Sequence, residues 1–172
     1  VLHAIGNIIQ SKNQKAVVLY QTADRFVNEF INAIRFDKID RFQKKYQMVD
    51  VLLIDDIQFI SNKETTQEAF FHIFNSLYDA RKQLVFSSDT FPQNINGIAE
   101  RLRSRLACGM IADIHQPCLE VKTAILKRKA EVSGELLSDE VAQFLAHVTS
   151  NIRELEGALI RVIAFAHLTK EP

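Results

Sequence analysis

Four aliphatic residues in a row, Val51-Leu52-Leu53-Ile54, run straight into Asp55-Asp56, and no other feature constrains the fold of this chain as much. Unbroken apolar character over one strand length means cover on both faces, the mark of a central strand in a parallel α/β sheet. Ligands in such sheets bind beyond the carboxyl ends of the strands, where the two acids fall. The pattern fits a Walker B element, in which one acid holds a Mg²⁺ that bridges nucleotide phosphates and its neighbour orients the attacking water. Asp also suits helix starts and turns, so the same acids fit a plain cap of whatever follows.

The flanking pattern alternates strand and helix. A helix with apolar spacing through Val1, Leu2, Ile5, Ile8 and Ile9 precedes a strand at 16–20 and a helix at 23–36, with Phe26, Val27, Phe30, Ile31 and Ile34 on its apolar side. A shorter helix at 37–46 leads into the acid-tipped strand. Thr65 and Glu68 form a capping-box pattern ahead of a helix through Phe70, Phe71, Phe74, Leu77 and Tyr78. Strands follow at 84–88 and 110–114, with an arginine-bearing helix at 98–106 between them. Alternation of this kind implies right-handed crossovers and a parallel sheet. After Gln116-Pro117 the pattern is purely helical, at 119–132, 139–148 and 152–168, which predicts an α/β core over 1–116 and a helical lid over 117–172.

Composition removes several classes. Lys plus Arg equals Asp plus Glu at 21 each, so nucleic acid could be bound only through local patches. No apolar run approaches the roughly 20 residues that span a bilayer, and no secretory signature opens the chain, which points to a cytoplasmic protein. Cys108 and Cys118 do not make a disulfide framework and are expected to be reduced and buried. The five histidines lack ligand spacing, and no G-x-S-x-G supports hydrolase chemistry. Phe70, Phe71 and Phe74 read as core. Lys38, Arg41, Lys44 and Lys45 read as a solvated face first and a DNA-phosphate contact second, and Lys127-Arg128-Lys129 is open in the same way. An uncapped apolar opening and an abrupt end suggest a piece of a longer protein.

Three further groups bear on chemistry. Ser87-Ser88-Asp89 brings polar groups to the same sheet edge as Asp55, although such a triplet also suits a turn. Arg101 and Arg105 stand one helical turn apart, placed either as a solvated face or to reach a neighbouring subunit's phosphates. Arg153 falls in the first turn of a helix capped by Asn151, where a cation is unfavourable unless an anion is near. Its alternative is an ion pair with Glu154, Glu156 or another surface acid.

Together, Val51 to Phe59, Arg101-Leu102-Arg103-Ser104-Arg105 and Asn151 to Leu159 closely resemble the signatures of the DnaA family of bacterial chromosomal replication initiators. The resemblance covers essentially the whole chain, including the helix pair at 23–46 that initiators carry and most other AAA+ ATPases lack. It implies a P-loop NTPase (AAA+) parallel-sheet core with a small helical lid. It assigns Asp55 to Mg²⁺, Asp56 to hydrolysis, Asp89 to the sensor 1 position, Arg105 to the arginine finger, Arg101 to the neighbouring arginine, and Arg153 to the sensor 2 position. It also implies ATP or ADP as ligand, slow hydrolysis in the intact protein, assembly of ATP-bound subunits at the origin, and melting of origin DNA. The replicative helicase and acidic phospholipids follow as expected partners. A helicase loader or initiator-regulating homologue of the same clan, and a non-catalytic interaction module, are the alternatives.

The departures are specific. No G-x-x-x-x-G-K-[ST] loop occurs, although the family places it just before the residues matching Val1 to Asn7, so this chain alone is expected to bind ATP poorly. The family's C-terminal domain that reads duplex DNA has no counterpart. Thr65 stands where relatives often carry a basic residue near single-stranded DNA. Ile31 stands at a DNA-facing position of the family but fits a core role as well.

Overall fold

The computed structural model describes residues 1–169, so the last residues of the expected 117–172 unit lie outside them. These residues form two compact units, Val1–Ile111 and a second that begins at Ala112. The first contains α1 (Leu2–Lys12), β1 (Val18–Thr22), α2 (Ala23–Arg35), α3 (Ile39–Gln47), β2 (Val51–Asp55), α4 (Glu64–Asp79), β3 (Gln83–Phe86) and α5 (Glu100–Leu106), with 3₁₀ turns at Ile57–Ile60 and Pro92–Asn94. The second contains α6 (Leu119–Val132), α7 (Asp139–Val148) and α8 (Ile152–Thr169). Among the described residues no helix is long and apolar enough to cross a membrane.

The sheet is three-stranded and parallel, in the order β1-β2-β3. Leu52, Leu53 and Ile54 of the central strand are at most 1% exposed, as a strand covered on both faces requires. Side chains alternate across a strand, so Leu52 and Ile54 enter the core with Phe26, Tyr46, Phe70 and Leu77 from α2, α3 and α4. Phe26 is its hub, with the rings of Phe42, Tyr46 and Phe70 each 5.3 Å away at edge-on angles. Leu53 faces α1 instead, where a Cβ on Gly6 would come within 3.0 Å of its Cδ1.

Helix ends explain several boundaries. Thr22 caps α2 by accepting from the Arg25 N–H at 3.3 Å. Asp37 takes a left-handed conformation after α2 while the Lys38 N–H donates to the Ala33 carbonyl at 2.7 Å, a Schellman end that delays α3 to Ile39. Arg81 and Gly134 close α4 and α6 in the same way. In the second unit, Ser138 caps α7, and the Lys122 ammonium donates to the Thr149 carbonyl at 2.6 Å beyond the end of α7. Leu126, Ala130, Leu145, Leu155 and Leu159 are the main elements of its core.

Five sequence expectations are corrected. The first strand lies two residues later than expected: Val17 donates to the Asp50 carboxylate and accepts from the N–H groups of Asp50 and Val51 at the start of β2, and the paired register begins at Val18. The Thr65–Glu68 capping box does not form: α4 begins at Glu64, and Thr65 is exposed within its first turn. Residues 110–114 carry no regular secondary structure and pair with no strand among the described residues, and Met110 is 94% exposed. Ile31 and Ile34 are half-exposed, since the buried stripe of α2 passes through Phe26, Val27, Phe30 and Ala33. Cys108 and Cys118 are free as expected but exposed, each in irregular backbone beside a helix end that no element covers.

Candidate functional site

The tip of β2 is held from both sides. The Tyr20 hydroxyl on β1 donates to Asp55 Oδ2 at 2.8 Å, and the Ser87 hydroxyl after β3 donates to Asp55 Oδ1. Ser87 Oγ also accepts from the Asp56 N–H at 2.9 Å, and the Ser87 carbonyl accepts from the Ile57 N–H at 2.9 Å. Burial opposes ionisation of Asp55, but the two hydroxyl donors outweigh it and hold its carboxyl below the usual carboxylate range. The hydrogen bond to Asp55, aided by burial and by the charges of Asp55 and Asp56, raises the Tyr20 pKa and keeps the phenol a donor.

Asp56 departs from strand geometry with φ 56° and ψ 54°, a left-handed conformation uncommon for any residue but Gly and Asn-like types. The turn re-aims its carboxylate away from the line of β2, where Oδ1 accepts from Gln58 Nε2 at 3.2 Å. Asp89 lies beyond Ser87 and is exposed, so Ser87 is the residue of this triplet that touches the Asp55 carboxylate.

A carboxylate offers about four lone-pair positions, and the two hydroxyls on Asp55 use one on each oxygen. The free positions suit a cation that takes one or two protein carboxylates and completes its shell with water and phosphate, as Mg²⁺ does. No cluster of three or more His, Cys, Asp or Glu among the described residues forms an all-protein cage.

Behind the tip, sequence reasoning missed a polar cluster because its members are far apart in the chain. Gln21 is buried, and its Oε1 accepts from the Tyr46 hydroxyl at 3.0 Å and from Lys45 Nζ at 3.2 Å. Lys45 also pairs with Glu29 at 2.5 Å, and Arg25 pairs with Glu29 at 3.2 Å. Burial, then the Glu29 charge, raises the Tyr46 pKa. For Glu29 burial acts upward, but Lys45, Gln21 and Arg25 prevail and hold its carboxyl below the usual range. A depressed folded pKa contributes stability that is full above the unfolded value and lost as pH falls through the folded one. The first unit is therefore expected to lose stability in acid below the ordinary glutamate range, and Glu29→Gln to flatten that limb of a plot of urea midpoint against pH.

The three arginines of α5 have different surroundings. Arg103 turns inward to the carbonyls of Ile95 and Ile98 and pairs with Glu100 at 3.2 Å. Arg101 pairs with Glu68 at 3.6 Å and lies over the Phe71 ring. Arg105 lies 5.6 Å from the Tyr78 ring centre and has no carboxylate partner among the described residues. The approach to α5 is fastened by Gln67, whose Nε2 donates to the carbonyls of Ile60 and Gly97 at 3.1 and 2.7 Å and whose Oε1 accepts from the Ala99 N–H at 2.8 Å. Gly97 suits the turn there: φ is +72°, where a side chain is strained, and a Cβ would press on the Asn62 side chain, 2.3 Å from its Oδ1.

In the second unit Asn151 caps α8 by accepting from the Glu154 N–H at 2.9 Å. The Glu154 carboxylate bonds to the Ser150 N–H and hydroxyl, and Glu156 pairs with Lys129 at 3.0 Å. Glu154 and Glu156 are thus engaged elsewhere, and Arg153 is exposed with no ion pair among the described residues. Lys127 and Arg128 also find acids, Asp139 and Glu131, so that basic run is a paired helix face.

The Bacterial DnaA ATPase domain family matches residues 1–113. The chromosomal replication initiator protein DnaA of Citrifermentans bemidjiense is 54% identical over 170 residues, spanning 98% of this chain and 37% of that protein. The chain therefore spans little more than a third of that relative's length. Domain III of the Thermotoga maritima replication initiation protein DnaA superposes with a TM-score of 0.96 at 36% identity, covering 99% of this chain and 72% of that one. A replication initiator DnaA bound to AMPPCP and single-stranded DNA superposes with a TM-score of 0.85 at 37% identity, covering 94% and 50%. With the family matching well over half of its residues, this chain belongs to the bacterial DnaA ATPases.

Proposed function

We propose that the chain is the central AAA+ module of a replication initiator, which in its intact protein binds ATP with Mg²⁺, self-assembles at the origin and opens duplex DNA. The observation that carries the reading is the Asp55 carboxylate, ionised and fixed at the tip of a buried parallel strand by Tyr20 and Ser87. Mg²⁺ bound there would neutralise charge on the nucleotide phosphates. Asp55 supplies its protein carboxylate, Asp56 is turned to orient a water, and Asp89 stands on the exposed bend beyond the same edge. Arg153 is the helical unit's sensor 2 candidate, and Arg105 and Arg101 serve a neighbouring subunit's nucleotide. The relative solved with AMPPCP and single-stranded DNA supports both ligands.

For DNA, Ile31, Ile34 and Phe36 lie half-exposed or more along α2 and its end, with the Arg35 guanidinium and the Lys38 ammonium each 5.9 Å from the Phe36 ring centre. Apolar contact flanked by cations suits the bases and phosphates of a single strand.

Calorimetric titration of ATP and ADP with Mg²⁺ tests the reading on this chain, on the chain extended upstream by about one strand and loop, the unit that carries a phosphate site, and on the extended chain bearing Asp55→Asn. Tight binding by the extended form alone, weakened by Asp55→Asn only when Mg²⁺ is present, is the expected result. Failure of the extended form to bind nucleotide would sink it and favour an interaction module.

A further inference from the structure

We infer that Tyr20 is a positioning residue for the cation-binding carboxylate of Asp55, an assignment that rests on the nucleotide reading above. Tyr20 sits opposite Leu53 in the β1–β2 register, whereas Asp55 sits opposite Thr22. Residues 53 and 55 of β2 share a face, so Tyr20 approaches Asp55 along the diagonal of that face. A separation of roughly 7–8 Å between diagonal backbone positions is within reach of a long aromatic side chain. Its hydroxyl ends 2.8 Å from Oδ2. The ring is itself held: the His3 ring of α1 lies 3.9 Å from it, centre to centre, at 37°.

Two donors on opposite oxygens do what neither does alone. An aspartate at a strand end exchanges among staggered rotamers unless something selects one. Ser87 anchors Oδ1 from β3, and Tyr20 anchors Oδ2 from β1. The carboxylate is thus spanned across the sheet, with both angles of its side chain set and the remaining lone pairs left for a cation. Groups that orient a ligand in this way affect metal affinity by about 10- to 100-fold when removed. The fold alone gives little reason for a hydroxyl here, because phenylalanine would keep the contact with His3.

A purely structural strap between β1 and β2 would show itself as lost stability, equal with and without Mg²⁺. A positioning group shows itself in the Mg²⁺ requirement. The experiment uses the full-length protein and measures the Mg²⁺ concentration that half-saturates ATP binding, together with nucleotide affinity in EDTA and thermal stability of the nucleotide-free form. Tyr20→Phe is expected to raise the Mg²⁺ midpoint about tenfold, the lower end of the range for such groups, with affinity in EDTA unchanged. Asp55→Asn is expected to remove the Mg²⁺ dependence altogether.

An unchanged midpoint in Tyr20→Phe, with Asp55→Asn behaving as stated, overturns the positioning role and leaves the nucleotide reading standing. Equal loss of stability with and without Mg²⁺ at an unchanged midpoint overturns it in favour of the strap. Mg²⁺ dependence that survives Asp55→Asn removes the cation from Asp55, and the role of Tyr20 falls with it.

Discussion

Arg105→Ala in the full-length protein is expected to abolish ATP-dependent self-assembly while ATP affinity stays within about twofold of the unaltered protein. An arginine reaching another subunit's phosphates is worth about 10³- to 10⁵-fold in the rate of phosphoryl transfer, and that contact does not exist while a single subunit binds nucleotide alone. The surroundings of α5 single out this side chain. Arg103 is committed to the Ile95 and Ile98 carbonyls and Arg101 to Glu68, whereas Arg105 rests on the Tyr78 ring without a carboxylate partner among the described residues. A guanidinium held by a ring alone gives up little on moving to a phosphate. Light scattering after size exclusion, with and without ATP, reads the outcome. Normal assembly by the variant would take the finger assignment from Arg105.

Gln67→Leu is expected to lower the stability of the first unit by about 3 kcal/mol, the scale for stranding buried polar groups that had good partners. The leucine fills the volume but abandons the carbonyls of Ile60 and Gly97 and the N–H of Ala99. Because those groups lie on the two segments that lead into α4 and α5, the arginines should lose their common placement as well. The variant should therefore melt at lower temperature and assemble poorly even where it remains folded. A melting temperature and an assembly profile both unchanged would show that Gln67 is not the fastening it looks to be.

What local pattern governs could be read from the chain in advance. β2 was legible because four aliphatic residues without alternation have few other uses, and α6 and α7 because their apolar spacing and flanking turn residues agree. Thr65 misled because capping propensity is weak beside tertiary context: α4 already begins at Glu64, and Gln67 of its first turn bonds three backbone groups. Residues 110–114 have strand composition, but a strand exists only where a neighbour pairs with it. Ile31 has the right hydropathy for a core and the wrong angle on α2. The candidate site divides along the same line. Asp55 and Asp56 announce themselves in sequence and the strand pattern brings the Ser87 triplet to their edge, whereas Tyr20 stands 35 residues from the carboxylate it holds, a distance no periodicity reports.

Successive residues of β1 address different layers: Tyr20 reaches Asp55 on one side, and Gln21 meets Tyr46 and Lys45 on the other. A slip of one residue in the pairing of β1 with β2 would exchange them, presenting an amide to the carboxylate and driving a phenol into space shaped for Gln21. A short edge strand has few ladder bonds with which to defend its alignment. Here the defence is chemical, because a misaligned strand would strand polar groups on both sides at once. β1 can therefore be five residues long and still find a single alignment.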